Sequence, residues 1–149
     1  MRFANRIPVV VFTCIVFAFL AASAVRAAHS RPSAAAVPTA KATVKATLTE
    51  MRITISQTRV PAGKVTFVVR NTGTVEHELL VIPWPKAGKL STAHFRADES
   101  ASIGEVSELK PGKTGRVTVE LAPGRYLLIC NLSGHYQLGM QAAIEAASS

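Results

Sequence analysis

From residue 42 onward the apolar positions fall largely on alternate residues. In KATVKATLTEMRITIS, Val44, Ala46 and Leu48 share one face, and Ile53 and Ile55 follow in β-branched company, the period-two pattern of half-buried strands. RVPAGKVTFVVRNTGT gives a Pro-Ala-Gly turn, a strand from Val65 to Arg70 and an Asn-Thr-Gly turn. EHELLVI is the next strand, ended by Pro83 and Pro85 around Trp84, and residues 86–102 form a long, irregular, polar loop. LKPGKTGRVTVELAPGRYLLIC supplies strands from Arg116 to Leu121 and from Tyr126 to Cys130, each introduced by a Pro-Gly turn. A short last strand runs from Gln141 to Ala146. No segment beyond the N-terminal stretch carries a helical period. Seven to eight short strands separated by Pro/Gly turns predict an all-β fold, a Greek-key β-sandwich of two sheets.

The first residues follow another pattern. MRFANRIPVVVFTCIVFAFLAASAVRAAHS opens with Arg2 and Arg6, runs apolar from Ile7 to Leu20 and closes on small residues, the charge, length and exit chemistry of a secretory signal. Cleavage after Ala24 or after Ala27 fits equally well. The alternative is an uncleaved anchor, because the 19 mostly apolar residues from Ile7 to Val25 are just long enough to cross a bilayer. Both readings put the rest of the chain outside the cytoplasm, periplasmic or otherwise extracytoplasmic. Cys14 lacks the Leu-Ala-Gly-Cys context of a lipoprotein. AAHSRPSAAAVPTAK has no apolar period and reads as a flexible tether. The expected organisation is a signal peptide or membrane anchor over 1–27, an Ala/Pro/Ser-rich tether over 28–41 and one domain over 42–149.

Composition narrows the function. Of the two cysteines only Cys130 lies outside the N-terminal stretch, so the exported domain makes no internal disulfide. An unpaired thiol in an oxidising compartment is a liability unless it is buried or bound. The chain carries +8; without Arg2, Arg6 and Arg26, 14 basic residues face 9 acidic ones, a net +5. The basic residues are scattered singly with little aromatic interleaving, which argues against nucleic acid and for a basic surface that meets an acidic partner, or simply for a soluble one.

Cys130 does not stand alone. CNLSGHYQLGM places Cys130, His135 and Met140 at even steps of five, with Gly134 and Gly139 just before the last two. In a helix, residues five apart sit about 140° apart around the axis; in an extended strand they span roughly 17 Å. Neither form brings three side chains to one ion, so the chain must curl back twice, and the glycines permit it. Thiolate, imidazole and thioether together favour copper: methionine is a poor zinc ligand but suits Cu(I) and serves as the long axial ligand of a His₂Cys site. The second histidine is His77, at the start of an apolar strand 53 residues upstream of Cys130. His29 lies in the tether and His94 in the long loop.

A His after an Asn-x-Gly turn, followed far downstream by Cys-x₄-His-x₄-Met, resembles the type 1 blue copper proteins, the cupredoxins. The loop spacing is similar to that of rusticyanin, auracyanin and sulfocyanin, and the resemblance covers roughly Lys41 to Glu145. It implies a cupredoxin-like sandwich holding one copper ion, cycling between Cu(I) and Cu(II), through His77, Cys130, His135 and Met140. It also implies a monomeric electron carrier rather than an enzyme, meeting redox partner proteins of the cytochrome or oxidase type. Where many cupredoxins have an asparagine after the first His, this chain has Glu78.

Three rivals stand beside that reading. A copper carrier that passes the ion would favour Met-rich or His-rich tracts, and only Met51 lies outside the N-terminal stretch and the loop. A Cys/His hydrolase needs a third orienting group, and copper redox enzymes need a further copper centre. A Cys-His₂ set also accepts zinc. Asn131-Leu132-Ser133 matches a glycosylation pattern inside the ligand loop, where a glycan would obstruct it. Leu132, Tyr136 and Leu138 are candidates for an apolar rim around His135.

Overall fold

A computed structural model describes residues 42–148; the signal or anchor over 1–27, with Cys14, and the tether over 28–41, with His29, lie outside the described residues. Eleven strands appear: β1 (Ala42–Thr49), β2 (Arg52–Ile55), β3 (Arg59–Pro61), β4 (Gly63–Asn71), β5 (His77–Pro83), β6 (Thr92–Ala93), β7 (Arg96–Ala97), β8 (Gly104–Leu109), β9 (Thr114–Leu121), β10 (Gly124–Ile129) and β11 (Gln141–Ala147). Nine of them form two sheets, in the orders β2-β1-β4-β9 and β3-β11-β10-β5-β8; β6 and β7 pair by themselves. Among the described residues there is no helix long and apolar enough to cross a membrane.

The all-β sandwich matches the sequence expectation, with more strands than the seven to eight predicted. The alternation seen in sequence is the inward face: Val44, Ala46 and Leu48 of β1 and Val65, Phe67 and Val69 of β4 are buried in one cluster. That cluster also holds Leu121 of β9 in the same sheet, and Leu79, Val81, Leu128 and Ile144 from the facing sheet. Burying each of the Val, Leu, Ile and Phe side chains among them contributes about 1.5–3 kcal/mol. A second cluster joins Leu80, Ile82, Leu127, Ile129 and Tyr136 beneath the long loop, with Trp84 and Leu90 packed against it. β5 is therefore buried on both faces, which explains its continuous apolar run. Close packing between the sheets also requires Gly115, where a Cβ would collide with Val106 Cγ1.

The sequence reading left out β3, β8, and the β6–β7 pair. β8 contributes only Val106 and Leu109 to the core, and its pairing with β5 shifts register between His77 and Leu79. Glu108 at φ 47° lies in this bulge, which breaks the period a sequence scan depends on.

Charge is divided between the sheets. The strands of the first carry exposed Lys45, Arg52, Lys64, Arg70 and Arg116 with Glu120 as their one carboxylate. The strands of the second carry Glu78, Glu105, Glu108 and Glu145 against Arg59 and Arg125.

Candidate metal centre

β5 and β10 run antiparallel, with Leu80 opposite Ile129, so the start of β5 and the end of β10 meet at one end of the second sheet. His77 opens β5 and Cys130 follows β10 directly; both are fully buried. β10 and β11 form a hairpin with Ile129 opposite Gln141, and its loop is the whole segment from Cys130 to Met140. The Cys130 N–H closes that loop by donating to the Met140 carbonyl at 3.1 Å. Inside it, the N–H of His135 donates to Leu132 (2.9 Å), that of Leu138 to Gly134 (3.0 Å) and that of Met140 to His135 (3.0 Å). Gly134 (φ 84°) and Gly139 (φ 96°) take left-handed backbone at these turns, as the sequence predicted.

This curl brings the donors together. Cys130 Sγ lies 3.3 Å from His135 Nδ1 and 3.8 Å from His77 Nδ1, and the three atoms lie within 4.8 Å of one another. Two donors on one ion, with bonds of about 2.3 Å to sulfur and about 2.0 Å to nitrogen, are separated by about 3.5–3.7 Å; the spacing fits a single metal. The two imidazole rings meet edge to face, with centroids 5.2 Å apart. Met140 is fully buried and its backbone is bonded to both Cys130 and His135. His94 takes no part: it sits exposed in the β6–β7 turn.

Electrostatics prepares the group for a cation. Burial holds the pKa of both imidazoles below the ordinary histidine value, with the proximity of His135 adding to the effect on His77, so both are neutral with lone pairs available. Burial pushes the Cys130 thiol up, against the backbone N–H groups of Glu78 and Leu132. A bound cation therefore displaces a proton from this sulfur.

The shell around the donors rests on residues to which the sequence reading gave no role. Continuing the β5–β10 register sets Glu78 opposite Asn131, and the Glu78 carboxylate accepts the Asn131 N–H at 3.0 Å while its own N–H faces Cys130 Sγ at 3.5 Å. The departure from asparagine at this position thus keeps a link between the two ligand segments. Arg96 Nη2 stands 3.9 Å from the same carboxylate. Asn131 is fully buried; its Oδ1 accepts the Ala97 N–H (2.6 Å) and its Nδ2 donates to the Ala97 carbonyl (3.0 Å). It is a structural clamp on the long loop, and its burial leaves the side chain no room for a glycan in this fold.

The β6–β7 hairpin turns through His94 (φ 49°) and Phe95 (φ 62°), left-handed positions usually given to Asn, Asp or Gly. For an aromatic residue this is a strained backbone, and the Phe95 carbonyl is held by the Gly134 N–H at 2.7 Å. Phe95 is 70% exposed and Leu138 66% exposed. The expected apolar rim is corrected here: Tyr136 is buried and its hydroxyl accepts the Leu90 N–H, Leu132 packs against the core, and Phe95 joins Leu138 as exposed apolar surface.

Comparison with known proteins agrees with this architecture. A family profile described as the cupredoxin-like domain matches residues 11–141. No curated protein matches the chain in sequence. Auracyanin A, a "blue" copper protein from the green thermophilic photosynthetic bacterium Chloroflexus aurantiacus, is 25% identical over 72% of this chain and 99% of its own, with a TM-score of 0.54. Dithionite-reduced auracyanin from Roseiflexus castenholzii is 24% identical over 72% of this chain and 96% of its own, with a TM-score of 0.54. Rusticyanin from Thiobacillus ferrooxidans is 16% identical over 72% of this chain and 79% of its own, with a TM-score of 0.59. At their identities the last two share the fold alone. By the span of the family match, the chain belongs to the cupredoxin-like family.

Proposed function

We propose that this chain is a mononuclear type 1 copper protein that carries single electrons between redox partners outside the cytoplasm. The observation that carries the reading is the convergence of Cys130 Sγ with the Nδ1 atoms of His77 and His135, beside the buried Met140. His77, Cys130, His135 and Met140 would hold the ion, and copper bound there supplies a one-electron Cu(I)/Cu(II) couple.

The chain's own part is to keep the donors still. His77 and Cys130 sit at the ends of paired strands, and two backbone bonds, from the Cys130 N–H to Met140 and from the Met140 N–H to His135, tie the other three donors into one closed loop. A framework held this way changes little between oxidation states, so little has to reorganise when an electron moves. His135 is the partly exposed member of the set and the natural exit for the electron. Leu138 in the same loop, and Phe95 bonded to the residue before His135, supply apolar surface for docking.

The proposed partners are proteins of the cytochrome or oxidase type. The basic first sheet favours an acidic contact there. The charged-then-apolar N-terminal stretch supports export, with the domain released or tethered. In this reading the protein is a monomeric carrier with no substrate to turn over.

Ion delivery is the competing use of the same donors, and redox cycling separates the two. The copper-loaded protein is reduced with ascorbate, dialysed against a Cu(I) chelator, then reoxidised with ferricyanide. Full recovery of the Cu(II) signal is expected; loss of copper at the reduced stage would mean that the ion, not the electron, is the cargo.

A further inference from the structure

β1 turns into β2 through Glu50 and Met51, the latter at φ 56°. The Glu50 carboxylate is caught by the turn that precedes β5. Its Oε1 accepts the N–H of Thr74, the N–H of Val75 at 3.1 Å and the hydroxyl of Thr74 at 3.1 Å. Asn71 shapes that turn: its buried side chain accepts the Gly73 N–H at 2.9 Å and donates to the Val75 carbonyl at 2.8 Å. Gly73 passes so close that a Cβ there would lie 2.6 Å from Glu50 Oε1. The Asn-Thr-Gly-Thr-Val segment is thus a cradle for a carboxylate. The Thr74 N–H foremost, with the other donors, holds the Glu50 pKa down at about 2.

The cradled oxygen faces the back of a proposed ligand. Glu50 Oε1 lies 3.9 Å from His77 Nε2. That nitrogen is buried and has no hydrogen-bond partner, and among the described residues Glu50 is the one carboxylate within 4.0 Å of it. The field of Glu50 acts on the His77 ring against the effect of burial.

We propose that Glu50, seated in the Asn71–Val75 turn, is a positioning residue for His77: its negative charge holds the ring proton on Nε2 and leaves Nδ1 as the lone pair facing Cys130. Imidazole ligands are commonly oriented by a carboxylate or carbonyl at the second nitrogen. The tautomer claim concerns the metal-free chain; a second consequence rests on the copper reading above. A fixed negative charge behind a ligand favours the more positive oxidation state, so it lowers the reduction potential.

The test uses Glu50→Gln, which keeps an amide oxygen for the Thr74 and Val75 donors but removes the charge, and Gly73→Ala, which displaces the carboxylate from a site 23 residues away in sequence. Long-range ¹⁵N–¹H correlation spectra of the metal-free domain at neutral pH report the His77 tautomer. The wild type is expected to be predominantly Nε2–H, and each variant to move the ratio toward Nδ1–H by about tenfold. In the copper-loaded protein each variant is expected to shift the one-electron equilibrium toward the reduced state by about tenfold, about 59 mV. An unchanged His77 tautomer ratio in Glu50→Gln overturns the proposal, and that variant decides alone if Gly73→Ala does not fold. Absence of a type 1 copper signal in the wild type would defeat the electron-carrier reading instead, and the metal-free spectra would still decide the role of Glu50.

Discussion

Glu78 Oε1 accepts the backbone N–H of Asn131 at 3.0 Å, so the residue after one proposed ligand holds the residue after another. The bond crosses from the start of β5 to the end of β10 and so ties together the two segments that carry His77 and Cys130.

Replacing that carboxylate has two separable consequences. Glu78→Leu leaves the buried Asn131 N–H without an acceptor, a loss of about 1–3 kcal/mol in the urea unfolding free energy of the metal-free protein. Glu78→Gln keeps an acceptor and removes a buried charge. Burial raises the Glu78 pKa above its ordinary 4.5, with Arg96 opposing. The folded state thus holds the proton more tightly than the unfolded one, a stability contribution present below the ordinary value and lost as pH rises through the folded one. Glu78→Gln should therefore gain stability on the wild type as pH climbs from 4.5 toward neutral; a gain on acidification would contradict this.

Glu50 has the opposite sign. Its pKa falls from 4.5 to about 2, so its contribution is present above the ordinary value and disappears as pH drops through the folded one. The stability difference between the wild type and Glu50→Gln should be constant at neutral pH, shrink below 4.5 and vanish near 2. Acid unfolding followed by circular dichroism at a series of pH values measures it.

Asn131→Ala removes both bonds to Ala97 and should cost about 1–3 kcal/mol. The loss should be local as well as global. Amide hydrogen exchange is expected to rise first across β6 and β7, and uniform loss of protection would mean that the long loop does not depend on this clamp.

Leu138→Lys places a charge on surface that is 66% exposed and should leave the copper spectrum intact. Electron exchange with the natural partner should slow by about tenfold, the effect of losing about 1.4 kcal/mol of docking. Stopped-flow kinetics on both proteins decides it, and equal rates would remove Leu138 from the docking surface.

Much of the centre was legible because three of its donors are local in sequence. A five-residue spacing that fits neither helix nor strand, with a glycine before each step, forces the curl that the loop shows. His77 was legible as a histidine opening an apolar run. The strands with clean alternation, β1 and β4, were legible for the same reason. What escaped notice depends on contacts between distant segments. The cradle for Glu50 joins a β1–β2 turn to Gly73–Val75, and nothing near Glu50 in sequence announces it. β8 hides its period behind a bulge, and the two-residue strands β6 and β7 are too short to show a period; β7 is fixed by the burial of Ala97 and by its bonds to Asn131, 34 residues away in sequence.

The most direct measurement is the visible absorption and electron paramagnetic resonance spectra of the Cu(II)-loaded domain beside Cys130→Ser. The expected result is an intense thiolate-to-copper band with a narrow copper hyperfine splitting, bleached by ascorbate and lost in the variant. A pale sample with ordinary tetragonal copper, unchanged by Cys130→Ser, would contradict a type 1 centre built on Cys130.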